Sequence, residues 1–240
     1  MTGRDIKVNS FIVTCEHGGN RIPAPLRRLF RGQQKLLDTH RGFDPGALIM
    51  AHALARSLRA PLVQSTVSRL VVDLNRSIGH PRLFSSFTRH LPADIRASII
   101  ERHYRPYRTE VEHLVERAIS RGRRVIHLSS HSFTPVFDGR VRTADVGLLY
   151  HPTRPRERAL CAHWKAALAA SAPAIRVRRN YPYAGRDDGL TSWLRRQFSA
   201  NDYVGVELEV NQGLVFGAAR QWTALRRILI DALHTALILP

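Results

Sequence analysis

The stretch FIVTCEHGGNR, residues 11–21, begins as an apolar run and turns at once into a carboxylate, an imidazole and two glycines. Phe11, Ile12 and Val13 are aromatic or β-branched and suit a buried strand. A strand that ends in Glu16, His17 and Asn20 delivers polar side chains to a sheet edge, where open α/β sheets hold their ligands. Gly18 and Gly19 let backbone or ligand approach closely. A tight turn with solvated charges would use the same residue types, so the rest of the chain has to decide.

Apolar runs that suit strands recur at 10–15, 61–67, 69–74, 124–130, 145–150, 174–179 and 203–210. Helical patterns separate them at 46–59, 93–121, 156–171 and 217–238. In the first of these, Leu48, Ala51, Leu54, Ala55 and Leu58 share one helical face. In the second, Pro106 must start, kink or break the helix. Strands alternating with helices predict an α/β fold with a mixed or mainly parallel sheet covered on both faces. No repeat, low-complexity segment or Gly/Ser/Pro-rich linker divides the chain, so residues 1–240 are read as one domain.

The composition bounds the function. An excess of 37 Lys+Arg over 19 Asp+Glu gives a formal charge of +18. Such an excess is what a nucleic-acid-binding protein uses to neutralise phosphates. Here the basic residues are nearly all Arg and scattered, with no basic tail and no nucleic-acid motif, and an anionic small substrate accounts for the charge as well. Cys15 and Cys161 are the two cysteines, with no CxxC-type metal spacing. The N-terminal MTGRDIKVNS lacks the apolar core of a signal peptide, and no apolar run approaches the roughly 20 residues of a membrane span. A cytoplasmic protein without membrane contact is expected; oligomeric state is not legible.

Four polar clusters fall at the ends of the apolar runs: Glu16–Asn20, Asp73–Arg76, His131–Phe133 and Glu207–Asn211. Their convergence on one sheet edge favours an enzyme. His17 and His131 with a carboxylate would make the three-ligand site of a zinc hydrolase; the alternative is that each imidazole only hydrogen-bonds locally. His127, inside its apolar run, is read as core. Glu207 and Glu209 have period-two spacing and project from one face of a strand. Buried, they would have raised pKa values suited to general acid/base work; an exposed edge strand or pairing with Arg are the alternatives. Arg69, Asn75 and Arg76 offer a guanidinium fork and an amide to a substrate carboxylate. The stretch NYPYAGRDDGLT (180–191), with Tyr183 and Arg186, suits a loop covering a substrate.

In order, the segments CEHGGNRIP, HRGFDPGA, SRLVVDLNRS, YRPYR, SSHSFTP, NYPYAG and VELEVNQGL resemble the N-formylglutamate amidohydrolase family, which is related to zinc carboxypeptidases and aspartoacylase-like deacylases. They run from position 15 to about 214. The resemblance implies a three-layer α/β/α fold and hydrolysis of the N-acyl amide of an acidic amino acid. For N-formyl-L-glutamate the products would be formate and glutamate, in histidine breakdown. It implies that one Zn2+ is held by His17 and His131, with Asp44 as the third ligand and Glu16 as its alternate. It further implies that Asn75 and Arg76 grip the substrate carboxylate, and that Glu209, supported by Glu207, is the catalytic acid/base. The chain departs from the pattern at Asn20, Arg108, Asn211 and Gly213. Rival expectations are a zinc amidase acting on another N-acyl amino acid or a peptidoglycan fragment, and a basic nucleic-acid-binding protein.

Overall fold

The computed structural model describes residues 7–238; most of the N-terminal segment read above as lacking a signal core lies outside them. Six strands form one sheet in the order β2-β1-β3-β8-β6-β7. They are β1 (Asn9–Cys15), β2 (Leu62–Gln64), β3 (Arg124–Phe133), β6 (Val146–Leu149), β7 (Val177–Arg179) and β8 (Tyr203–Asn211). The strands from β2 to β8 pair in parallel, β6 runs antiparallel to β8, and β7 is parallel to β6. A short hairpin, β4 (Val136–Phe137) and β5 (Arg140–Val141), follows β3 outside the sheet.

Helices cover both faces. One apolar cluster packs α1 (Ala47–Leu58), α4 (Pro155–Ser171) and α6 (Ala219–Ile238) against the sheet residues Val13, Leu128, Val206 and Leu208. The other packs α3 (Arg105–Ser120) and α5 (Leu190–Gln197) against Ile12, Val125 and Tyr203. The alternation of strand side chains feeds both clusters from the same strands. On the second face the lining changes along the strands. Val125 and Tyr203 are apolar contacts near the start, whereas Ser129, His131, Glu207 and Glu209 are buried polar groups toward the end. His127 lies between, fully buried, hydrogen-bonded to Thr14 Oγ1 at 2.8 Å and to the Tyr203 hydroxyl at 2.7 Å. Burial lowers its pKa to about 4. The core assignment of this histidine agrees with its setting.

Two expected strands need correction, at 69–74 and at 61–67, whereas the helical reading of 93–121 holds. Residues 69–74 are not a strand. Leu70, Val71, Val72 and Leu74 are buried, but in a chain of turns whose amides bond locally, as Val71 N does to Ser68 O, or to loops, as Asp73 N does to Leu83 O. Burial, not a β-ladder, explains the apolar run. The strand expected at 61–67 contracts to β2, with Val67 left in an isolated bridge to Arg21. The segment 93–121 is α2 (Ala93–Ile99), a π turn (Ile100–Tyr104) and α3, so Pro106 sits in the first turn of α3. Helical backbone runs straight into it from the π turn, whose wider i→i−5 bonding, as from Arg105 N to Ile100 O, replaces the i→i−4 bond that a proline cannot make.

Candidate active site

The turn after β1 brings the first two candidate ligands together. Gly18 N donates to Ser65 O at 2.9 Å, and a Cβ on Gly18 would stand 2.9 Å from that same oxygen, so only glycine fits without displacement. The backbone then presents His17 O to Asp44 N, 2.9 Å away. That is the role of the glycines in the opening stretch.

His17, Asp44 and His131 meet, with one potential ligand atom each within 4.8 Å of the others, all three residues buried. Asp44 Oδ2 lies 3.3 Å from His17 Nδ1 and 2.8 Å from His131 Nδ1. The outer ring nitrogens are held from behind. His17 Nε2 is 2.7 Å from Asp73 Oδ1, and His131 Nε2 is 3.0 Å from Glu16 Oε2. Glu16, the alternate ligand, therefore stands behind His131 and outside the cluster, where it also accepts from Ser129 Oγ at 2.6 Å and the Tyr107 hydroxyl at 2.9 Å. Burial alone would raise the Glu16 and Asp44 pKa values, but His131 beside Glu16 and His17 and His131 beside Asp44 hold both carboxylates well below their ordinary range. Burial would lower the His131 pKa; the hydrogen bonds to Asp44 and Glu16 reverse this and raise it well above normal.

Beside the cluster, on the neighbouring strand, stand the two glutamates of β8. His131 and Glu209 are register partners across β3 and β8, as are Ser129 and Glu207. Both carboxylates are buried and line the same cavity of about 370 Å³ as His17, Asp44 and His131. Glu207 accepts from Thr191 Oγ1 at 2.5 Å. Glu209 Oε2 is buried with no hydrogen-bond partner, and burial pushes its carboxyl up to about 8, with Asp44 and Glu207 adding to the shift and His131 opposing it.

The cavity also takes in Arg69, Asn75, Arg76 and Tyr183. Arg69 lines it while its guanidinium is committed to Asp44 Oδ1 at 3.2 Å and Asp73 Oδ2 at 2.8 Å. It fixes the carboxylates around His17. Asn75 Nδ2 is 3.4 Å from His131 Nε2, and its Oδ1 accepts from Leu190 N at 2.7 Å. Arg76 Nη1 donates to the carbonyls of Asn75 and Asp188, and its Nε is buried without a partner, a donor still to be used. Tyr183, 44% exposed at the rim, is steadied by Arg142, which donates to its hydroxyl at 3.2 Å and stacks on its ring at 5.0 Å. Arg186 does not join them. It is exposed and lines a different hollow with His151, Arg154 and Ser192, because the loop turns its side chain away from the sheet edge.

Several residues that shape the site were given no individual role from the sequence. Asp73 backs His17 and pairs with Arg69. Asp188 accepts from Ser77 N and Oγ, which fastens the 180–191 loop to the segment carrying Arg76. The buried pair Arg195–Glu157 anchors the same loop, with Arg195 also donating to the Gly185 and Gly205 carbonyls. Gly185 is required there, since a Cβ would lie 2.2 Å from Tyr150 N.

The crystal structure of a gene product from Agrobacterium tumefaciens is similar to this chain at 27% identity, with 96% of this chain and 91% of that one covered and a TM-score of 0.82. The N-formylglutamate amidohydrolase of Ralstonia eutropha shares the fold at 20% identity, over 97% and 95% of the two chains, with a TM-score of 0.68. No curated protein matches the sequence. The sequence model of the N-formylglutamate amidohydrolase family matches residues 9–216. Because that match spans every strand of the sheet and every cavity residue named above, the chain belongs to the N-formylglutamate amidohydrolase family.

Proposed function

We propose that the protein hydrolyses the N-acyl amide of an acidic amino acid, N-formyl-L-glutamate first among them, with one zinc ion held by His17, Asp44 and His131. One observation carries this reading: two imidazoles converge on a single carboxylate oxygen in a cavity that Glu209, buried with its Oε2 unpartnered, also lines. The donor set fits the ion, since two imidazole nitrogens and a carboxylate suit the borderline character of zinc. The outer partners fit too. Asp73 and Glu16 occupy the far nitrogens, the arrangement that orients ligating histidines and fixes their tautomers. Bound there, such an ion supplies Lewis acidity at the scissile carbonyl and acidifies water.

The chain's own residues perform the remaining steps. The Arg76 guanidinium, with its free Nε, and the Asn75 amide bind the substrate carboxylate. Glu209 takes a proton from the attacking water as its oxygen bonds to the acyl carbon. It then delivers that proton to the amide nitrogen as the C–N bond breaks, releasing the free acid and the amine. Glu207, fixed by Thr191, stands beside Glu209 and raises its affinity for the proton. Assaying the zinc-loaded protein against N-formyl-, N-acetyl- and N-succinyl-L-glutamate and against N-formyl-leucine tests the reading. Release of formate with preference for the acidic substrate is expected; failure to cleave any N-acyl amino acid would overturn it.

A further inference from the structure

Behind the segment that carries Asn75 and Arg76 lies a second hollow of about 440 Å³. Tyr104, Arg108 and Glu112 line it from one side, Trp193 and Arg196 from another, and Ser77 from the segment itself. Arg108 is only 5% exposed. Its guanidinium stacks on the rings of Tyr104 and Trp193, 5.3 and 4.9 Å from their centroids, and donates from Nη1 to Leu74 O at 3.0 Å. Among the described residues its Nε and Nη2 make no hydrogen bond and no carboxylate pairs with it.

A buried charge without a counter-ion is costly, and stacking on aromatic faces recovers only part of that cost. The neighbours do not supply the counter-ion. Arg105, also in the lining, is paired with Glu101. Arg196 Nη2 reaches Ser77 Oγ at 3.4 Å. Glu112 is the one carboxylate in a lining that contains three arginines, and it is half-buried one helical turn beyond Arg108 without pairing to it. The hollow is therefore net positive, partly aromatic, and built around two unfilled donors of a fixed guanidinium.

We propose that this hollow binds a small oxyanion, a carboxylate or a phosphate, on the Arg108 guanidinium, with Arg196 and the Thr109 hydroxyl as outer donors. A planar guanidinium with two free N–H groups is the geometry that holds two oxygens of one anion. The site is distinct from the cavity of the chemistry but backs directly onto it. Arg108 holds Leu74 O, the Tyr104 hydroxyl donates to Arg76 O at 2.7 Å, and Ser77 Oγ holds Asp188, whose carbonyl receives Arg76 Nη1. An anion that favours one arrangement of this segment changes the affinity of Arg76 for substrate by the same coupling free energy.

Trp193 beside Arg108 provides the readout. The full-length protein is titrated with inorganic phosphate and, separately, with succinate at constant ionic strength, following tryptophan fluorescence, with Trp193→Phe to identify the reporting ring. A saturable change with either anion, absent with chloride, is expected, and the anion that produces it tells phosphate from carboxylate. Arg108→Met, which keeps the packed stem and removes the donors, should weaken binding at least tenfold. Arg196→Met, on the exposed rim and harmless to folding, should weaken it several-fold and carries the test should Arg108→Met fail to fold. A signal that is linear in added salt, equal for chloride, or unchanged by the two arginine substitutions would overturn the site. Saturating anion should also move the KM for deacylation at least twofold, and an unmoved KM would refute the coupling to Arg76.

Discussion

Asp44 presents one carboxylate oxygen to His131 Nδ1 at 2.8 Å, and the same oxygen lies 3.3 Å from His17 Nδ1. Glu16 touches His131 from the other side, at Nε2. The two acids are thus distinguishable by substitution. Asp44→Asn keeps the shape but removes the charge from the centre of the cluster, and the protein should lose its metal on dialysis. Glu16→Gln should keep the ion but bind it roughly 10–100-fold more weakly, the scale of an outer-sphere partner. Metal content of the dialysed variants decides, and retention at the native ratio by Asp44→Asn would remove it from the ligand set.

Arg76 is predicted to hold the substrate carboxylate, and a lysine cannot reproduce its planar fork. Arg76→Lys should lose about 1.5–3 kcal/mol of binding, the scale of a hydrogen bond to a charged group. Because the Asp188 carbonyl and the Asn75 carbonyl also depend on this guanidinium, thermal melting of the variant should be compared alongside. Unchanged KM toward acidic N-acyl amino acids would exclude the role.

Much of the architecture was legible because it rests on local pattern. The apolar runs ending in His17, near His131 and around Glu209 are strands β1, β3 and β8, and their parallel pairing sets those residues along one edge of the sheet. The run at 69–74 misled because Val71, Val72 and Leu74 are as buried as strand residues, yet the segment joins no β-ladder and Val71 N bonds within a turn to Ser68 O. Hydrophobicity reports burial, not the partner of an amide. The place of Asp73 behind His17 escaped for a related reason. Its contact with His17 joins positions 56 residues apart and exists only because that loop folds back over β1. Arg186 and Asp188 are two positions apart on a loop whose course no periodicity encodes, so the sequence could not tell that Asp188 fastens the loop while Arg186 faces another hollow.

Glu209 gives a pH signature in the metal-free protein. Burial first, then Asp44 and Glu207, push its carboxyl to about 8 against the pull of His131, whereas an unfolded chain titrates a glutamate near about 4.3. Between these values the folded state keeps a proton that the unfolded state has released, so this group makes stability fall as pH rises. The slope is at most about 1.4 kcal/mol per pH unit, and the penalty is complete above the folded pKa. Glu209→Gln should flatten that part of the profile and be more stable than the native protein at pH 8, as read by urea denaturation from pH 5 to pH 8. In the zinc-loaded enzyme the same substitution should cut turnover by roughly 10²–10⁴-fold with little change in metal content. Parallel stability profiles for the two proteins would contradict the buried, unpartnered state of this carboxyl.

Deacylation is predicted to depend on one ion at His17, Asp44 and His131. The most direct measurement strips the protein with a chelator, adds zinc back in sub-stoichiometric steps, and follows bound metal and formate release from N-formyl-L-glutamate together. Activity should rise linearly to a break at one zinc per chain, and His17→Ala and His131→Ala should neither retain zinc nor recover activity. Full turnover by the stripped protein, or by either histidine variant, would contradict this dependence.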